Sequence, residues 1–151
     1  MVMNSPEILP VPWAGAPQAH WTSVPESLPA MSGAYLLLLR LNKPAPLPKR
    51  FGDLKLLPGL YVYAGSARGP GGIRARCARH FRHDKKLHWH VDWLTKRATS
   101  FQAAAFTNRA ECSLITQLMQ SGSVEFSYKG FGSSDCTRCN SHLLKLMHPL
   151  P

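Results

Sequence analysis

Acidic residues are scarce in this chain of 151 residues: eight Asp and Glu stand against 18 Lys and Arg, which gives a formal net charge of +10. The excess lies after residue 30, because residues 1–30 contain Glu7 and Glu26 and neither Lys nor Arg. A compact body with this charge attracts polyanions, and nucleic acid is the commonest polyanion in a cell. The alternative is a basic but otherwise ordinary surface.

Long apolar runs are also missing. No stretch of 18 or more apolar residues occurs, so the sequence predicts no membrane span and no membrane partner. The N-terminus lacks the basic start and the continuous apolar segment of a secretory signal. Four cysteines in a chain with 44% apolar residues indicate reduced thiols and not a disulfide framework. We therefore expect a cytoplasmic protein, associated with the nucleoid.

Regular patterning is absent from the first thirty residues, which contain six prolines. This composition predicts a flexible arm over residues 1–30, which Trp13 and Trp21 can pin to the body. The length of the remainder predicts one domain over residues 31–151.

Hydrophobic patterning and turn-forming residues divide this domain into strands and helices. The predicted strands cover 33–39, 59–65 and 101–106, with an edge strand at 124–126, and the predicted helices cover 73–83, 87–97, 109–120 and 140–147. The segment with Pro44, Pro46 and Pro48 is too broken for regular structure. This order predicts an α+β fold in which helices flank a small three-stranded antiparallel sheet.

A carboxylate stands on the apolar face of the predicted helix at 109–120. That face is formed by Leu114, Ile115, Leu118 and Met119, and Glu111 falls in its middle. A carboxylate in such a position is costly unless it is paired, hydrogen-bonded or bound to a metal. Glu111 is therefore a candidate metal ligand. The alternative is a capping box in which Asn108 is the N-cap.

Basic groups are concentrated on the predicted helix at 73–83. Arg76, His80 and His83 lie on one flank of its apolar face, where they can grip a phosphate. An ordinary solvated basic helix is the alternative. The residues that we expect to contact nucleic acid are Arg68, Arg74, Arg79, His83, Lys85 and Lys86.

Tyrosines cluster on the first two predicted strands. Tyr61 and Tyr63 alternate onto one face of their strand, and Tyr35 lies near the start of the neighbouring strand. Core packing is the simpler interpretation. A phenol can act as a general base only if nearby cations lower its pKa from about 10, and the arginine-rich helix that follows can supply them.

Two further motifs allow more than one interpretation. In His88-Trp89-His90-Val91-Asp92-Trp93 the aromatic rings either stack on bases or pack against the sheet or the N-terminal arm. The spacing of Cys136, Cys139 and His142 is that of part of a structural zinc site, for which the fourth ligand would be His88, His90 or His148.

The order of these motifs resembles the GIY-YIG nuclease superfamily. The matching residues, in chain order, are Gly33-Ala34-Tyr35, Tyr63-Ala64-Gly65, Arg76-x-x-x-His80 and Glu111. Residues 65–72, 87–90 and 130–136 are similar to the branch in which the domain stands alone or is fused to endonuclease III-type repair glycosylases.

The resemblance implies a DNA endonuclease that hydrolyses phosphodiester bonds with one divalent metal, Mg²⁺ or Mn²⁺. It implies that Glu111 holds the metal and that Tyr63 is the general base, with Tyr35 helping to position the water. It further implies that Arg76 grips the scissile phosphate and that His80 belongs to the catalytic set. The implied partners are branched, nicked or damaged DNA and a repair glycosylase.

Some residues depart from the pattern of the superfamily. Ser66 stands where several relatives carry lysine, and Asn140 is the nearest match to a late asparagine. These departures keep a second hypothesis open, a catalytically inactive nucleic-acid-binding module of the same fold. A third is a protein-interaction domain with a structural zinc.

Overall fold

The computed structural model of the chain describes residues 9, 11, 13, 15–127, 131 and 141–147. The strands are β1 (Gly33–Leu41), β2 (Ala45–Pro46), β3 (Lys55–Leu56), β4 (Gly59–Ala67), β5 (Ser100–Phe106), β6 (Val124–Phe126) and β7 (Leu143–Leu146). The α-helices are α1 (Gly72–Phe81), α2 (Asp92–Thr95) and α3 (Glu111–Gln120). The fold is α+β, as predicted, but the antiparallel sheet has five strands in the order β5-β1-β4-β7-β6 instead of three.

The long strands β1 and β4 form the centre of the sheet. They pair along their whole length in a register that places Tyr35 opposite Gly65 and Leu37 opposite Tyr63. Their apolar runs are nearly continuous because both faces of the sheet are covered. Alternate side chains therefore enter two separate cores.

The two cores lie on opposite faces of the sheet. Tyr35 and Tyr63 belong to the core that α1 covers with Ile73 and Cys77. The side chains between them on the strands belong to the second core, to which α3 contributes Leu114, Ile115 and Leu118. Residues from α1 and α3 can therefore meet only around an edge of the sheet.

The helix predicted over 140–147 is wrong. Residues Leu143–Leu146 form strand β7, which lies between β4 and the edge strand β6. Leu143 and Leu144 are buried in different cores, so the segment reads as a short continuous apolar run. Such a run cannot be assigned to strand or helix by its periodicity. The edge strand predicted at 124–126 is confirmed.

The helix predicted over 87–97 is reduced to the single turn of α2. The Asp92 carboxylate accepts hydrogen bonds from the backbone N–H groups of His88 and Trp89, each at 2.8 Å, and so favours a turn before the helix. The segment after β1, for which no regular structure is predicted, contains the two-stranded ribbon β2–β3.

The described part of the predicted arm is packed on the body. Leu9 and Trp13 are buried in the core beneath α3, and the Trp13 and Trp21 rings lie 5.4 Å apart. Closer to the domain, the carbonyls of Pro29 and Met31 accept the N–H groups of Arg74 and Ile73. Within the described residues, no helix has the length and apolar character needed to cross a membrane.

Candidate active site

Tyr35 and His80 form a buried pair beneath α1. The Tyr35 hydroxyl lies 2.6 Å from His80 Nε2, and both residues are 1% exposed. Burial lowers the pKa of His80 to about 3 and raises the pKa of Tyr35 well above its ordinary value, so both groups are neutral near pH 7. The phenol is the stronger proton donor and donates to Nε2. The ring hydrogen then lies on Nδ1, which is buried without a hydrogen-bond partner among the described residues.

Gly65 provides the space for this pair. A Cβ atom at Gly65 would overlap the hydroxyl and the ring of Tyr35, which lies opposite it in the β1–β4 register. The glycine of the second sequence motif therefore allows the tyrosine of the first motif to reach His80.

Tyr63 lies next to the Tyr35–His80 pair. Its ring centroid is 6.2 Å from that of His80, in an edge-on arrangement, and 6.5 Å from that of Tyr35. Burial raises the pKa of Tyr63, and the nearby Glu111 carboxylate raises it further, while Arg76 lowers it. Arg76 of the arginine-rich helix thus acts on this pKa in the predicted direction, but burial and Glu111 outweigh it, and the net pKa is raised.

The side chain of Arg76 extends to Ser66, near the end of β4. Its Nη1 donates a hydrogen bond of 3.2 Å to the carbonyl of Ser66, and its guanidinium carbon lies 4.2 Å from the centroid of the Trp89 ring. The guanidinium of Arg79 is at the same distance from Trp89. Trp89 packs against the core beneath α1, as the packing alternative predicts, and it also orients two arginines, which the sequence pattern does not predict.

Asp92 holds Arg79 and the backbone of Trp89 in place. It is fully buried and accepts two hydrogen bonds from Arg79, at 2.7 and 2.8 Å, besides those from the backbone of His88 and Trp89. Burial acts to raise the pKa of this carboxyl, but the hydrogen bonds hold it below its ordinary value. Asp92 and Arg79 are an ion pair that supports Trp89.

Glu111 begins α3 on the other side of the sheet. The residue before it, Ala110, is the N-cap, and the helix has no side-chain cap, so the capping box with Asn108 is wrong. The side chain of Glu111 is 29% exposed, and its Oε2 lies 3.6 Å from Nδ1 of His142. Glu111 therefore presents a partly solvated carboxylate and is not a buried capping group.

The short strand β7 explains how Glu111 comes near the tyrosines. On β4 it pairs with 61–63 only, and within the described part of the chain the later residues of β4 have β1 as their sole neighbouring strand. Beyond this pairing, the N–H of Ala64 donates to the carbonyl of His142, and the ring of His142 contacts Glu111 at the start of α3. The residue before β7 therefore links Glu111 to the strand that carries Tyr63. The site thus combines side chains from both layers of the fold.

Comparison with known protein families identifies the family of this chain. A family model described as Domain of unknown function DUF123 matches residues 34–149. The chain belongs to the DUF123 family. No curated protein and no solved structure gives a significant match. The match to DUF123 includes all five residues of the candidate catalytic set, which are Tyr35, Tyr63, Arg76, His80 and Glu111.

The basic residues expected to contact nucleic acid fall into two groups in the DUF123 domain. Arg68 and Lys86 are exposed. The other four make contacts within the protein, although Arg74 and His83 are exposed as well. Arg79 pairs with Asp92, Arg74 Nε donates to the Leu28 carbonyl at 2.7 Å, His83 Nε2 lies 2.9 Å from the Ala98 carbonyl, and Lys85 Nζ donates to the His80 carbonyl at 2.8 Å.

Of the predicted zinc ligands Cys136, Cys139 and His142, the structure describes His142. His142 contacts Glu111 through Nδ1, and its Nε2 lies 3.9 Å from Cys112 Sγ. Cys136 and Cys139 lie outside the described residues, as does Asn140. Within the described residues, no group of three or more His, Cys, Asp and Glu side chains is arranged to hold a metal ion.

Proposed function

We propose that the chain is a divalent-metal-dependent DNA endonuclease of the GIY-YIG type. The observation that carries the proposal is the convergence of Tyr35, Tyr63, Arg76, His80 and Glu111, which come from four different elements and two layers of the fold. Hydrolysis of a phosphodiester needs a cation for the phosphate oxygens, a positioned water and a metal-binding carboxylate. This set contains side chains suited to each task.

Arg76 is the group that would bind the scissile phosphate. One of its nitrogens is held by the Ser66 carbonyl, which leaves other N–H donors of the fork for phosphate oxygens. A cleft of about 240 Å³ lies beside it, lined by Ala67, Gly69, Pro70, Gly72, Ala75, Arg76 and Arg79. A larger cleft of about 850 Å³ runs along the outer face of α3, but none of the five candidate residues lines it.

Glu111 fits a metal that keeps most of its water. Mg²⁺ is commonly bound through one or two carboxylates together with water molecules and substrate phosphate, so a single partly exposed carboxylate is sufficient. A divalent cation bound there would act as a Lewis acid on the phosphate and would offset the negative charge that raises the Tyr63 pKa.

Tyr63 and the Tyr35–His80 pair would position the water. The Tyr63 ring packs against both Tyr35 and His80, and Arg76 is the cation that favours its phenolate form. Because His80 is neutral, it accepts from Tyr35 without adding positive charge. With a bound cation and Arg76 favouring its phenolate form, Tyr63 would take the proton of the attacking water while the bond from phosphorus to the leaving sugar oxygen breaks, and Arg76 would stabilise the charge on the phosphate.

DNA is the polyanion that this proposal assigns to the basic body. Residues 31–151 contain all 18 Lys and Arg and six acidic residues. We place the activity in DNA repair or processing, on branched, nicked or damaged DNA in the cytoplasm or nucleoid, with a repair glycosylase as partner.

One observation favours an inactive nucleic-acid-binding module as the second candidate. Tyr63 is buried and its pKa is raised, so at neutral pH the unaided phenol keeps its proton. A module that only binds DNA would need Arg68, Arg76 and Lys86 but neither Glu111 nor an ionisable Tyr63.

The test compares wild type with Glu111→Gln and, as a matched control, Glu125→Gln on the exposed side of β6. Each protein is incubated with labelled branched, nicked and lesion-bearing DNA, with Mn²⁺ or EDTA, and binding is measured in the same samples. We expect metal-dependent cleavage that falls at least about 100-fold in Glu111→Gln only, with binding retained. Binding without cleavage by all three proteins would support the inactive module.

A further inference from the structure

The segment between β1 and β4 has no part in the candidate active site. Ala45, Leu47 and Leu56 are buried in the core beneath α1 and α2, so the β2–β3 ribbon is anchored to the domain. The two strands are joined by a 3-10 turn at Lys49–Phe51. We call residues 42–58 the ribbon segment. Because its buried residues anchor the ribbon segment, its exposed side chains are held at a defined place.

The ribbon segment combines positive charge with exposed leucines. The segment contains four basic residues and one acidic residue, a net charge of +3. Lys49 and Arg50 are exposed, and Leu54 and Leu57 are 51% and 61% exposed. Basic groups bind phosphates, and apolar side chains at a nucleic-acid interface insert between bases that have lost their stacking.

The ribbon segment and the candidate active site share one neighbour. Phe51 packs edge-on against the His90 ring, with centroids 5.4 Å apart. The adjacent residue, Trp89, orients Arg76, which is the candidate phosphate-binding group. Two adjacent residues of one turn therefore link the ribbon segment to the candidate phosphate-binding group.

We propose that the ribbon segment binds the duplex on which the candidate site acts, with Lys49 and Arg50 on phosphates and Leu54 and Leu57 against unstacked bases. This rests on the proposed function and adds a source of specificity. Unstacking costs free energy, and the cost is smallest where the duplex is already interrupted. The ribbon segment would thus select nicked, branched or damaged sites over intact duplex.

The structure offers a closely matched control for the leucines. Val24 and Met31 are 51% and 61% exposed, the same values as Leu54 and Leu57, and both lie outside the ribbon segment. The variants are Leu54→Ser/Leu57→Ser, Val24→Ser/Met31→Ser and Lys49→Gln/Arg50→Gln in the full chain. Binding is measured in EDTA by anisotropy, on intact and nicked duplexes with 2-aminopurine beside the nick.

We expect wild type and the Val24/Met31 variant to raise 2-aminopurine fluorescence on nicked DNA and to prefer it over intact duplex. The Leu54/Leu57 variant should lose both the fluorescence rise and at least about tenfold of the preference, because each unstacked or mismatched step is worth about that factor. The Lys49/Arg50 variant should reduce the slope of log affinity against log salt by about 1.8, which is the value for two lost phosphate contacts.

Unchanged fluorescence and preference in the Leu54/Leu57 variant would overturn the proposal. Light scattering provides a second test. If wild type is a dimer, the Leu54/Leu57 variant is a monomer and the two bind DNA equally well, the leucines join two copies of the chain and the proposal is overturned. Hydrolysis of thymidine 5′-(4-nitrophenyl phosphate) with Mn²⁺ separates this inference from the proposed function. If wild type does not hydrolyse this substrate but leucine-dependent unstacking is observed, the nuclease is refuted and the ribbon contact stands.

Discussion

Arg79 of α1 forms a two-pronged ion pair with Asp92 of α2, in which Nη1 lies 2.7 Å from Oδ1 and Nη2 lies 2.8 Å from Oδ2. Asp92 is fully buried, whereas the side chain of Arg79 is 21% exposed. The same arginine lies against Trp89, and the same carboxylate holds the backbone of that residue. The pair therefore connects the helix that carries Arg76 to the ring that orients it.

Replacing Asp92 by asparagine should destabilise the protein. The change leaves the mostly buried Arg79 without its charged partner, and removal of one member of such a pair costs about 3 kcal/mol of unfolding free energy. Urea unfolding followed by circular dichroism measures the loss. Asp84→Asn is the control, because Asp84 is exposed, and its effect should stay within about 0.5 kcal/mol. Equal midpoints for the two variants would show that the ion pair contributes nothing to stability.

Trp89 and Arg76 should act as one unit in catalysis. Trp89→Leu removes a cation–π contact of about 1–2 kcal/mol and should lower kcat for DNA cleavage about tenfold. Arg76→Lys should lower it at least about 100-fold, because an ammonium group cannot replace the planar fork. The double variant should be no slower than Arg76→Lys alone, since Trp89 works through Arg76.

The control for the arginine change is Arg82→Lys, because Arg82 is exposed at the end of α1 and belongs to neither the catalytic nor the DNA-binding set. Additive losses in the double variant would mean that Trp89 has a role of its own, such as stacking on a base.

His80 should make the unfolding free energy depend on pH. Burial, with positive charge from Lys85, lowers its folded pKa to about 3, whereas the ordinary value is about 6.5. Between these values the unfolded chain binds a proton that the folded protein does not. The stability contributed by neutral His80 is therefore complete above about pH 6.5 and is lost as the pH falls toward about 3, with a slope approaching about 1.4 kcal/mol per pH unit.

Urea titrations from about pH 7 down to about pH 4 measure this effect. A His80→Gln variant cannot titrate at this position, so the difference in unfolding free energy between wild type and variant should shrink as the pH falls. A constant difference across that range would mean that His80 has an ordinary pKa.

Gly65→Ala should displace Tyr35 from His80. The added methyl group would overlap the Tyr35 hydroxyl, and forcing a group into a packed site costs about 1–3 kcal/mol. Cleavage should fall together with stability. Gly69→Ala is the control, because a Cβ at Gly69 meets no atom within 4 Å. Wild-type activity in Gly65→Ala would show that the Tyr35–His80 contact is dispensable.

The sequence predicts the elements whose patterns are local. Strands β1, β4 and β5 and helices α1 and α3 lie within a few residues of their predicted bounds, because each has a clear apolar run or stripe. The sequence predicts a helix where β7 forms. The place of β7 between β4 and β6 depends on pairing with residues about eighty positions earlier in the chain. No local pattern encodes such a partner, so the size of the sheet was also underestimated.

The residues of the candidate site also divide into those that a local pattern reveals and those that it does not. Glu111 and Arg76 stand out in the sequence because each puts a charge where the pattern requires an apolar or neutral residue. The supporting roles of Trp89 and Asp92 could not be predicted, because they depend on the turn before α2 and on its contact with Arg79. The signal that could have revealed them is the density of aromatic and acidic groups in 88–93.

Glu111 is the one member of the candidate catalytic set that belongs to the layer formed by α3, while the tyrosines, Arg76 and His80 belong to the opposite layer. On the proposed function, binding and cleavage are therefore inherited separately. A single codon change at position 111 would silence the enzyme and leave its DNA-binding face intact, so a lineage can pass from nuclease to DNA-binding adaptor without rebuilding the fold.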